Sequence, residues 1–131
     1  MKTYGVILAA CDSTRFDEEV NKLFYKVDGK ELVLYPIETF LDNSEIDEVL
    51  IVSSKSNKAV LEKLLTEHQS VSIILGGDSR QESEYCALQY LQDKASDNCL
   101  IVIHDAARSF LSSELLTSLV NTAKEHRSAA P

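Results

Sequence analysis

The stretch that decides the fold is YGVILA at residues 4–9, an unbroken apolar run near the start of the chain. Three further short runs follow it: VLIV at residues 49–52, VSIIL at 71–75 and LIVI at 100–103. Short runs rich in Val and Ile are typical of strands that are covered on both faces of a parallel sheet. We therefore predict a strand at each of these positions.

Segments with helical spacing separate the runs. Their apolar residues recur every three or four positions, at Val60, Leu61, Leu64 and Leu65, at Tyr85, Leu88 and Leu91, and at Leu115, Leu116, Leu119, Val120 and Ala123. The pair Ser79 and Glu82 has the spacing of a capping box and predicts a helix start. Another helix is expected to begin at residues 32–35, because Pro36 is tolerated only in a first turn. Its inward-facing residues are predicted to be Leu34, Ile37, Phe40 and Leu41.

Strands that alternate with helices favour right-handed crossovers. We predict a single domain over residues 1–131, an α/β, Rossmann-like, doubly wound fold with a mainly parallel sheet and helices on both faces. Ligands of such sheets bind beyond the carboxyl ends of the strands, where the strand order reverses. The sequence thus directs attention to the loops at residues 10–21, 76–80 and 104–109.

Composition excludes several classes of protein. The chain has 131 residues and a net charge of −8, which argues against a nucleic-acid partner because such proteins need a basic face. No apolar run is long enough to cross a membrane, and the start lacks a signal-peptide cleavage pattern. Three widely spaced cysteines without a Cys-x-x-Cys pair predict free thiols and a cytoplasmic location, with Cys86 and Cys99 buried.

The loop GGDSR at residues 76–80 leads into a predicted helix. Paired glycines let the backbone approach a ligand closely, and a helix start offers free N–H groups. Ser79, Arg80 and Ser83 add hydroxyl and guanidinium donors near the first turn. The alternative is an ordinary strand-to-helix turn with a cap.

The loop HDAAR at residues 104–108 follows the last predicted strand. A carboxylate at Asp105 suits Mg²⁺, which keeps most of its water and takes further ligands from phosphates. Arg108 can bind a phosphate through paired hydrogen bonds. The alternative is that Asp105 and Arg108 pair with each other or cap the next helix, and His104 is interpreted as an orienting or internally satisfied histidine.

The first loop, AACDSTRF at residues 9–16, precedes Lys22. Its small residues stand where a strand end can offer backbone amides to a nucleotide, and Arg15 and Lys22 carry charges suited to polyphosphate. Two basic residues in such a loop are also compatible with an ordinary solvated surface.

Taken together, the three loops resemble the 2-C-methyl-D-erythritol 4-phosphate cytidylyltransferases and their sister ribitol-5-phosphate cytidylyltransferases. The family pattern Gly-Gly-x-x-Arg-x-x-Ser is intact at residues 76–83. The pattern His-Asp-Ala-Ala-Arg-Pro is matched at residues 104–109 except for Ser109 in the last place. The pattern Ala-Ala-Gly-x-Gly-x-Arg is matched at residues 9–15 except for Cys11 and Ser13, and Asn21-Lys22 replaces Pro-Lys.

The resemblance implies transfer of a cytidylyl group from CTP to a sugar-alcohol phosphate, with release of pyrophosphate. It implies that Arg15 and Lys22 stabilise charge at the α-phosphate, that Asp105 binds Mg²⁺ and that Arg108 lies towards the sugar phosphate. The implied nucleotide-binding residues are Ala9, Ala10, Cys11, Gly76, Gly77, Asp78, Ser83 and Ala106. Ala106 and Ala107 favour 2-C-methyl-D-erythritol 4-phosphate as acceptor, since the ribitol enzymes more often carry Ser-Val there.

The chain departs from the family pattern in ways that open alternatives. Cys11 and Ser13 replace glycines, and Asp12 adds a negative charge beside the expected triphosphate. Such a charge at about 4 Å costs on the order of 4 kcal/mol at an effective dielectric near 20. The sequence also stops at Pro131, short of the family's usual length, so we expect a fragment or shortened form without the arm that makes the family homodimeric. The alternatives are a catalytically silent nucleotide-binding fragment and a domain that pairs with another chain through an open sheet edge.

Overall fold

The computed structural model describes residues 2–10, 22–68, 70–94, 98–108 and 110–127. A single 3-10 turn, Lys22–Phe24, precedes the second strand. The strands and helices of the described residues are β1 (Lys2–Ala9), β2 (Lys26–Val27), β3 (Lys30–Glu31), α1 (Leu34–Asp42), β4 (Glu48–Ser53), α2 (Lys55–Leu64), β5 (Val71–Leu75), α3 (Arg80–Gln92), β6 (Cys99–Asp105) and α4 (Ser113–His126).

The main sheet has the strand order β5-β4-β1-β6, and every neighbouring pair in it is parallel. The chain builds outward from β1 through β4 to β5 and then returns to place β6 on the other side of β1. The strand order therefore reverses at β1, beside β6. This arrangement confirms the predicted doubly wound α/β fold and its four strands.

Alternate residues of the central strands feed two separate cores, because side chains of a strand point to opposite faces. On one face, Ile7 and Ile51 pack with residues of α1, α2 and α4. On the other face, Val6 and Val52 pack with Ala87 and Leu91 of α3 and its neighbours. The predicted placement of helices on both faces is confirmed.

The inward faces of three helices differ from the prediction. In α3, Tyr85 and Leu88 are exposed, at 60% and 46%, and the buried residues are Ser83, Ala87 and Leu91. The helix thus turns a small-residue stripe to the sheet, because Ser83 and Ala87 allow a closer approach than large side chains would. In α2, Val60 is exposed and the buried stripe is Asn57, Leu61 and Leu65. Leu115 of α4 is likewise exposed, while Leu116 and Val120 are buried.

Three helices begin at a serine whose hydroxyl accepts a backbone hydrogen bond. Ser54, Ser79 and Ser112 accept from the N–H groups of Asn57, Glu82 and Leu115 respectively, each at 3.1 Å. These caps satisfy N–H groups that have no partner within the helix. In α1 the cap position is Val33 without a side-chain bond, and Pro36 lies in the first turn as predicted.

A short hairpin, β2 with β3, is an element that the sequence prediction missed. Asp28 and Gly29 form its turn with positive φ angles of 54° and 77°. Asp-Gly is a preferred pair for a two-residue hairpin turn, because both central residues then adopt left-handed backbone conformations. The signal was therefore present in the sequence.

The structure tests the predictions for the cysteines and for membrane-spanning segments. Cys86 and Cys99 are free thiols, as predicted, but both are partly exposed, so the prediction that they are buried is wrong. Cys86 lies one position before the buried Ala87 of α3 and is not part of the buried stripe of Ser83, Ala87 and Leu91. Within the described ranges, no helix has the length and apolar character needed to cross a membrane.

Candidate functional site

The carboxyl ends of β1 and β6 lie side by side where the strand order reverses. Leu8 is paired in register with Asp105, and the N–H of Ala106 donates to the carbonyl oxygen of Leu8 at 2.9 Å. This bond holds Ala9 and Ala10 close to Asp105 and Ala106. Ala9 and Ala106 are fully buried, so their methyl groups form the floor beneath the strand ends.

The loop after β5 is pressed closely against its surroundings. The N–H of Gly76 donates to the carbonyl oxygen of Ser53 at 2.8 Å, which ties the loop to the end of β4. A Cβ atom on Gly76 would lie 2.5 Å from Oγ of Ser83 and 2.7 Å from Cγ1 of Val52. Only glycine fits at this position, and the buried Ser83 lies directly against the loop.

Glu82 folds back from α3 over the same loop. Its Oε2 accepts from the N–H of Asp78 at 2.8 Å, and a Cβ on Gly77 would lie 2.5 Å from that oxygen. The predicted capping box is therefore formed with a shift of one residue, because the carboxylate binds the N–H of Asp78 rather than that of Ser79. A ligand that uses this amide must displace the Glu82 carboxylate.

Arg80 joins the loop after β5 to the end of β6. Its Nε lies 3.0 Å from Oδ1 of Asp105, and its Nη1 lies 3.1 Å from Oε1 of Glu84. The Arg80 and Asp105 side chains are 55% and 35% exposed, so the pair faces solvent across the edge of the sheet. The alternative in which Asp105 pairs with Arg108 is wrong, since among the described residues Asp105 forms its ion pair with Arg80.

His104 and Arg108 are linked through the backbone. The Nε2 of His104 lies 2.7 Å from the carbonyl oxygen of Arg108, and the N–H of Arg108 donates to the carbonyl oxygen of Asp105 at 3.0 Å. The imidazole also packs 5.9 Å, centroid to centroid, from the ring of Phe40. His104 thus holds the turn after β6, as predicted, and leaves the exposed Arg108 side chain at the rim.

Lys22 opens the 3-10 turn and is exposed. The next residue, Leu23, is buried in the same core cluster as Ala9 and Ala106. The carbonyl oxygen of Leu23 also accepts from the N–H of Val33 at 2.9 Å, which fixes this turn against the start of α1. Cys11 and Arg15 lie outside the described residues.

Asp105 brings one carboxylate to the end of β6. In the parts of the chain that the structure describes, no group of three His, Cys, Asp or Glu residues can hold a metal ion. A single carboxylate nevertheless fits Mg²⁺, which binds through one or two carboxylates together with water and substrate phosphates.

Three contacts within the site were missed by sequence reasoning. Glu82 carried a partial signal, its capping-box spacing from Ser79. The Arg80 to Asp105 contact joins residues 25 positions apart and had no local signal. Asn57, which is buried on α2, donates from Nδ2 to the carbonyl oxygen of Ala9 at 2.9 Å and had none either.

Comparison with known proteins agrees with the resemblance drawn from the three loops. The profile of the family described as IspD, 2-C-methyl-D-erythritol 4-phosphate cytidylyltransferase, matches residues 4–131. The chain belongs to this family. Members of the cytidylyltransferase family from Petrotoga mobilis and Clostridium perfringens are 32% and 31% identical to it, over 123 and 134 residues.

The match covers nearly all of this chain but only part of each relative. The match with the Petrotoga mobilis protein includes 93% of this chain and 54% of that protein. The match with the Clostridium perfringens protein includes 99% of this chain and 57% of that protein. The crystal structure of a 4-diphosphocytidyl-2C-methyl-D-erythritol synthase is similar with a TM-score of 0.79 at 25% identity, covering 94% of this chain and 54% of that one. The chain thus spans about half the length of the cytidylyltransferase relatives it matches.

Proposed function

We propose that this chain binds CTP and takes part in transfer of its cytidylyl group to 2-C-methyl-D-erythritol 4-phosphate, with release of pyrophosphate, in the synthesis of isoprenoid precursors. One observation carries the proposal. In a chain that belongs to the cytidylyltransferase family, the end of β1, the loop after β5 and the end of β6 meet at one edge of the sheet. That edge is where ligands of such sheets bind.

The nucleotide is proposed to lie across the switch point between β1 and β6. Ala9, Ala10 and Ala106 leave room there for a ligand, because their side chains extend no further than a methyl group. The cytosine and ribose are assigned to the loop after β5 and its neighbour on α3. The residues proposed to contact the nucleotide are Ala9, Ala10, Cys11, Gly76, Gly77, Asp78, Ser83 and Ala106.

Charge compensation is the main chemical task of the site. In the proposed reaction, an oxygen of the sugar phosphate attacks the α-phosphorus of CTP, and the bond to the pyrophosphate oxygen breaks. Such a step needs no protein nucleophile, since positioning and stabilisation of negative charge supply most of the catalysis. Arg15 and Lys22 are proposed for that role. The backbone of Lys22 is held in place because the next residue, Leu23, is buried in the core.

Asp105 is proposed to hold a divalent cation, Mg²⁺, together with the nucleotide. When bound, that cation would neutralise charge on the phosphate oxygens. Arg108, exposed at the rim beside Asp105, is proposed to bind the phosphate of the acceptor. The cytoplasmic location remains a prediction.

Two measurements test the proposal. Calorimetry with CTP and Mg²⁺ is expected to give heat of binding, and a product assay with CTP and 2-C-methyl-D-erythritol 4-phosphate is expected to release pyrophosphate. No heat with millimolar CTP would contradict nucleotide binding. Faster turnover of ribitol 5-phosphate would transfer the assignment to the sister activity.

A substitution at Lys22 tests its role in the reaction. Lys22→Ala is expected to lower turnover about a hundredfold or more, because the variant loses the positive charge that stabilises the negative charge developing in the transition state. Lys55→Ala on the exposed start of α2 is the matched control and is expected to leave turnover unchanged. Equal rates for the two variants would remove Lys22 from the mechanism.

A second candidate is nucleotide binding without turnover. It is favoured by Cys11 and Ser13, which replace glycines of the family pattern, and by the negative charge of Asp12 beside them. Binding of CTP without pyrophosphate release would support it.

A further inference from the structure

Arg80 connects two carboxylates that belong to different elements of the fold. Its guanidinium contacts Oδ1 of Asp105, at the end of β6, and Oε1 of Glu84, one turn further along α3. Arg80 is also the first residue of α3, directly after the loop of residues 76–79. One side chain therefore links the loop assigned to the nucleotide with the carboxylate assigned to the cation.

This contact sets the electrostatic conditions at Asp105. With Arg80 in place, the negative charge of Asp105 is already compensated. A divalent cation that approaches the Asp105 carboxylate is repelled by the guanidinium, whose Nε lies 3.0 Å from Oδ1. The pair is partly exposed, so solvent weakens it and a cation can displace it. Glu84 offers Arg80 a second partner on its own helix, at the i,i+4 spacing that suits such pairs.

We propose that Arg80 is a positioning residue that acts as the counter-ion of Asp105 in the metal-free chain, and that a divalent cation displaces it onto Glu84. Arg80 thereby lowers the affinity of Asp105 for a free cation. The inference rests on the proposed function, which supplies the cation together with the nucleotide phosphates.

If Arg80 had the opposite role, its removal would change the cation affinity in the opposite direction. If Arg80 served only to orient the Asp105 carboxylate for the cation, its removal would loosen the ligand and weaken cation binding. Removal of a competing counter-ion strengthens cation binding instead. General loss of structure would also weaken binding, so a gain in affinity distinguishes the proposal from both.

The test is a titration with Mn²⁺ alone, followed by the electron paramagnetic resonance signal of the free ion. Arg80→Gln keeps the length of the side chain and removes its charge, and it is expected to bind Mn²⁺ about fivefold more tightly than the unaltered chain. Arg80→Lys keeps the charge and is expected to stay near the affinity of the unaltered chain. Equal or weaker binding by Arg80→Gln would overturn the proposal.

Two further variants locate the effect. Asp105→Asn is expected to abolish the gain in Mn²⁺ affinity that Arg80→Gln causes, and a gain that persists in the double variant would overturn the proposal. Glu84→Gln removes the second partner of Arg80 and is expected to weaken Mn²⁺ binding about twofold, since Arg80 is then held by Asp105 alone. Far-ultraviolet circular dichroism checks that α3 is intact in each variant.

The experiment separates this inference from the proposed function, because Mn²⁺ binding is measured without CTP. Tighter Mn²⁺ binding by Arg80→Gln in a chain that gives no heat with CTP would uphold the counter-ion role and reject the nucleotide assignment. Binding of CTP together with weaker Mn²⁺ binding by Arg80→Gln would do the reverse.

Discussion

At the scale of single residues, the candidate site depends on side chains that bind loop backbone or each other across the sheet edge. Gly76, Gly77 and Asp105 were predictable, because glycines and a carboxylate stand out at the ends of apolar runs. The partners of these residues were not predictable, since the contacts of Arg80 and Asn57 join positions far apart in the chain. Local spacing carries no information about such contacts until the strand order is known.

Gly5 provides a residue-scale prediction about packing. A Cβ at this position on β1 would overlap the Phe40 ring, with Cε2 of Phe40 at 2.7 Å. Gly5→Ala is therefore expected to destabilise the fold by about 2 kcal/mol, because the ring or α1 must shift in a close-packed core. Urea denaturation measures the change in the free energy of unfolding.

The matched control for Gly5→Ala is Gly29→Asn in the exposed turn between β2 and β3. No heavy atom lies within 4 Å of a Cβ there, and Asn tolerates the positive φ of 77° better than other residues. Its free energy of unfolding is expected to stay close to that of the unaltered chain. A loss at Gly29 as large as that at Gly5 would contradict the packing explanation.

Tyr90 provides a residue-scale prediction about pH. A hydrogen bond from Ser72, together with Lys94, stabilises the phenolate and lowers the pKa of Tyr90 below its ordinary value of 10.0. The shift adds no stability at neutral pH, where tyrosine is uncharged in both states, and its contribution appears as the pH rises through the lowered pKa. Absorbance at 295 nm is expected to show one of the five tyrosines ionising early.

Two variants assign that early step. Tyr90→Phe is expected to remove it, and Ser72→Ala is expected to raise the pKa of Tyr90 back towards its ordinary value. If the early step persists in Tyr90→Phe, the assignment to Tyr90 is wrong.

At the scale of elements, a strand or helix was predicted correctly where its apolar residues formed a clear pattern in the sequence. The four sheet strands were predicted because the apolar runs are of strand length and rich in Val and Ile, and segments with helical spacing separate them. The inward face of α3 was mispredicted because the prediction favoured large apolar residues, whereas Ser83 and Ala87 face the sheet. The choice of face depends on how closely the helix approaches the strands, which is a tertiary property.

Ser112 provides an element-scale prediction. Its hydroxyl caps α4 by accepting from the N–H of Leu115, so Ser112→Ala is expected to destabilise the fold by about 1 kcal/mol. Ser112→Asp keeps an acceptor at the cap and is the control, with stability expected near that of the unaltered chain. Thermal unfolding followed by circular dichroism measures both, and equal losses for the two variants would contradict a capping role.

At the scale of the whole molecule, the strand order determines where the loops meet. The prediction of a shared site at the carboxyl ends followed from chain order alone, and the adjacency of β1 and β6 agrees with it. The contribution of Arg15 and Cys11 stays a prediction, because both lie outside the described residues. The roles of the site residues depend on their contacts with a bound ligand, and the order of the strands does not determine those contacts.

The edge strand β6 provides a prediction at this scale. β6 lies at the edge of the described sheet, and between it and α4 runs an open groove of about 940 Å³ with Phe110 and Leu115 exposed along it. Unpaired backbone groups and apolar side chains at a sheet edge favour association. We expect the mass measured by light scattering to rise with protein concentration.

Charged substitutions test whether this groove is responsible. Phe110→Glu and Leu115→Glu are expected to reduce the association, because each places a charge at the rim. Val60→Glu, at an exposed apolar position on α2, is the matched control and is expected to leave it unchanged. A mass that stays monomeric at the highest concentration reached would contradict the prediction.

The hydrogen bond from Asn57 to the last carbonyl of β1 has a consequence for how the first loop can change. The carbonyl group at which that loop begins is held by a buried amide on α2, a helix that follows β4. We therefore expect substitutions within residues 11–21 to leave this hydrogen bond in place. A transplant restoring Gly at positions 11 and 13 is the obvious first exchange, and Asn57 is the residue to leave untouched while making it.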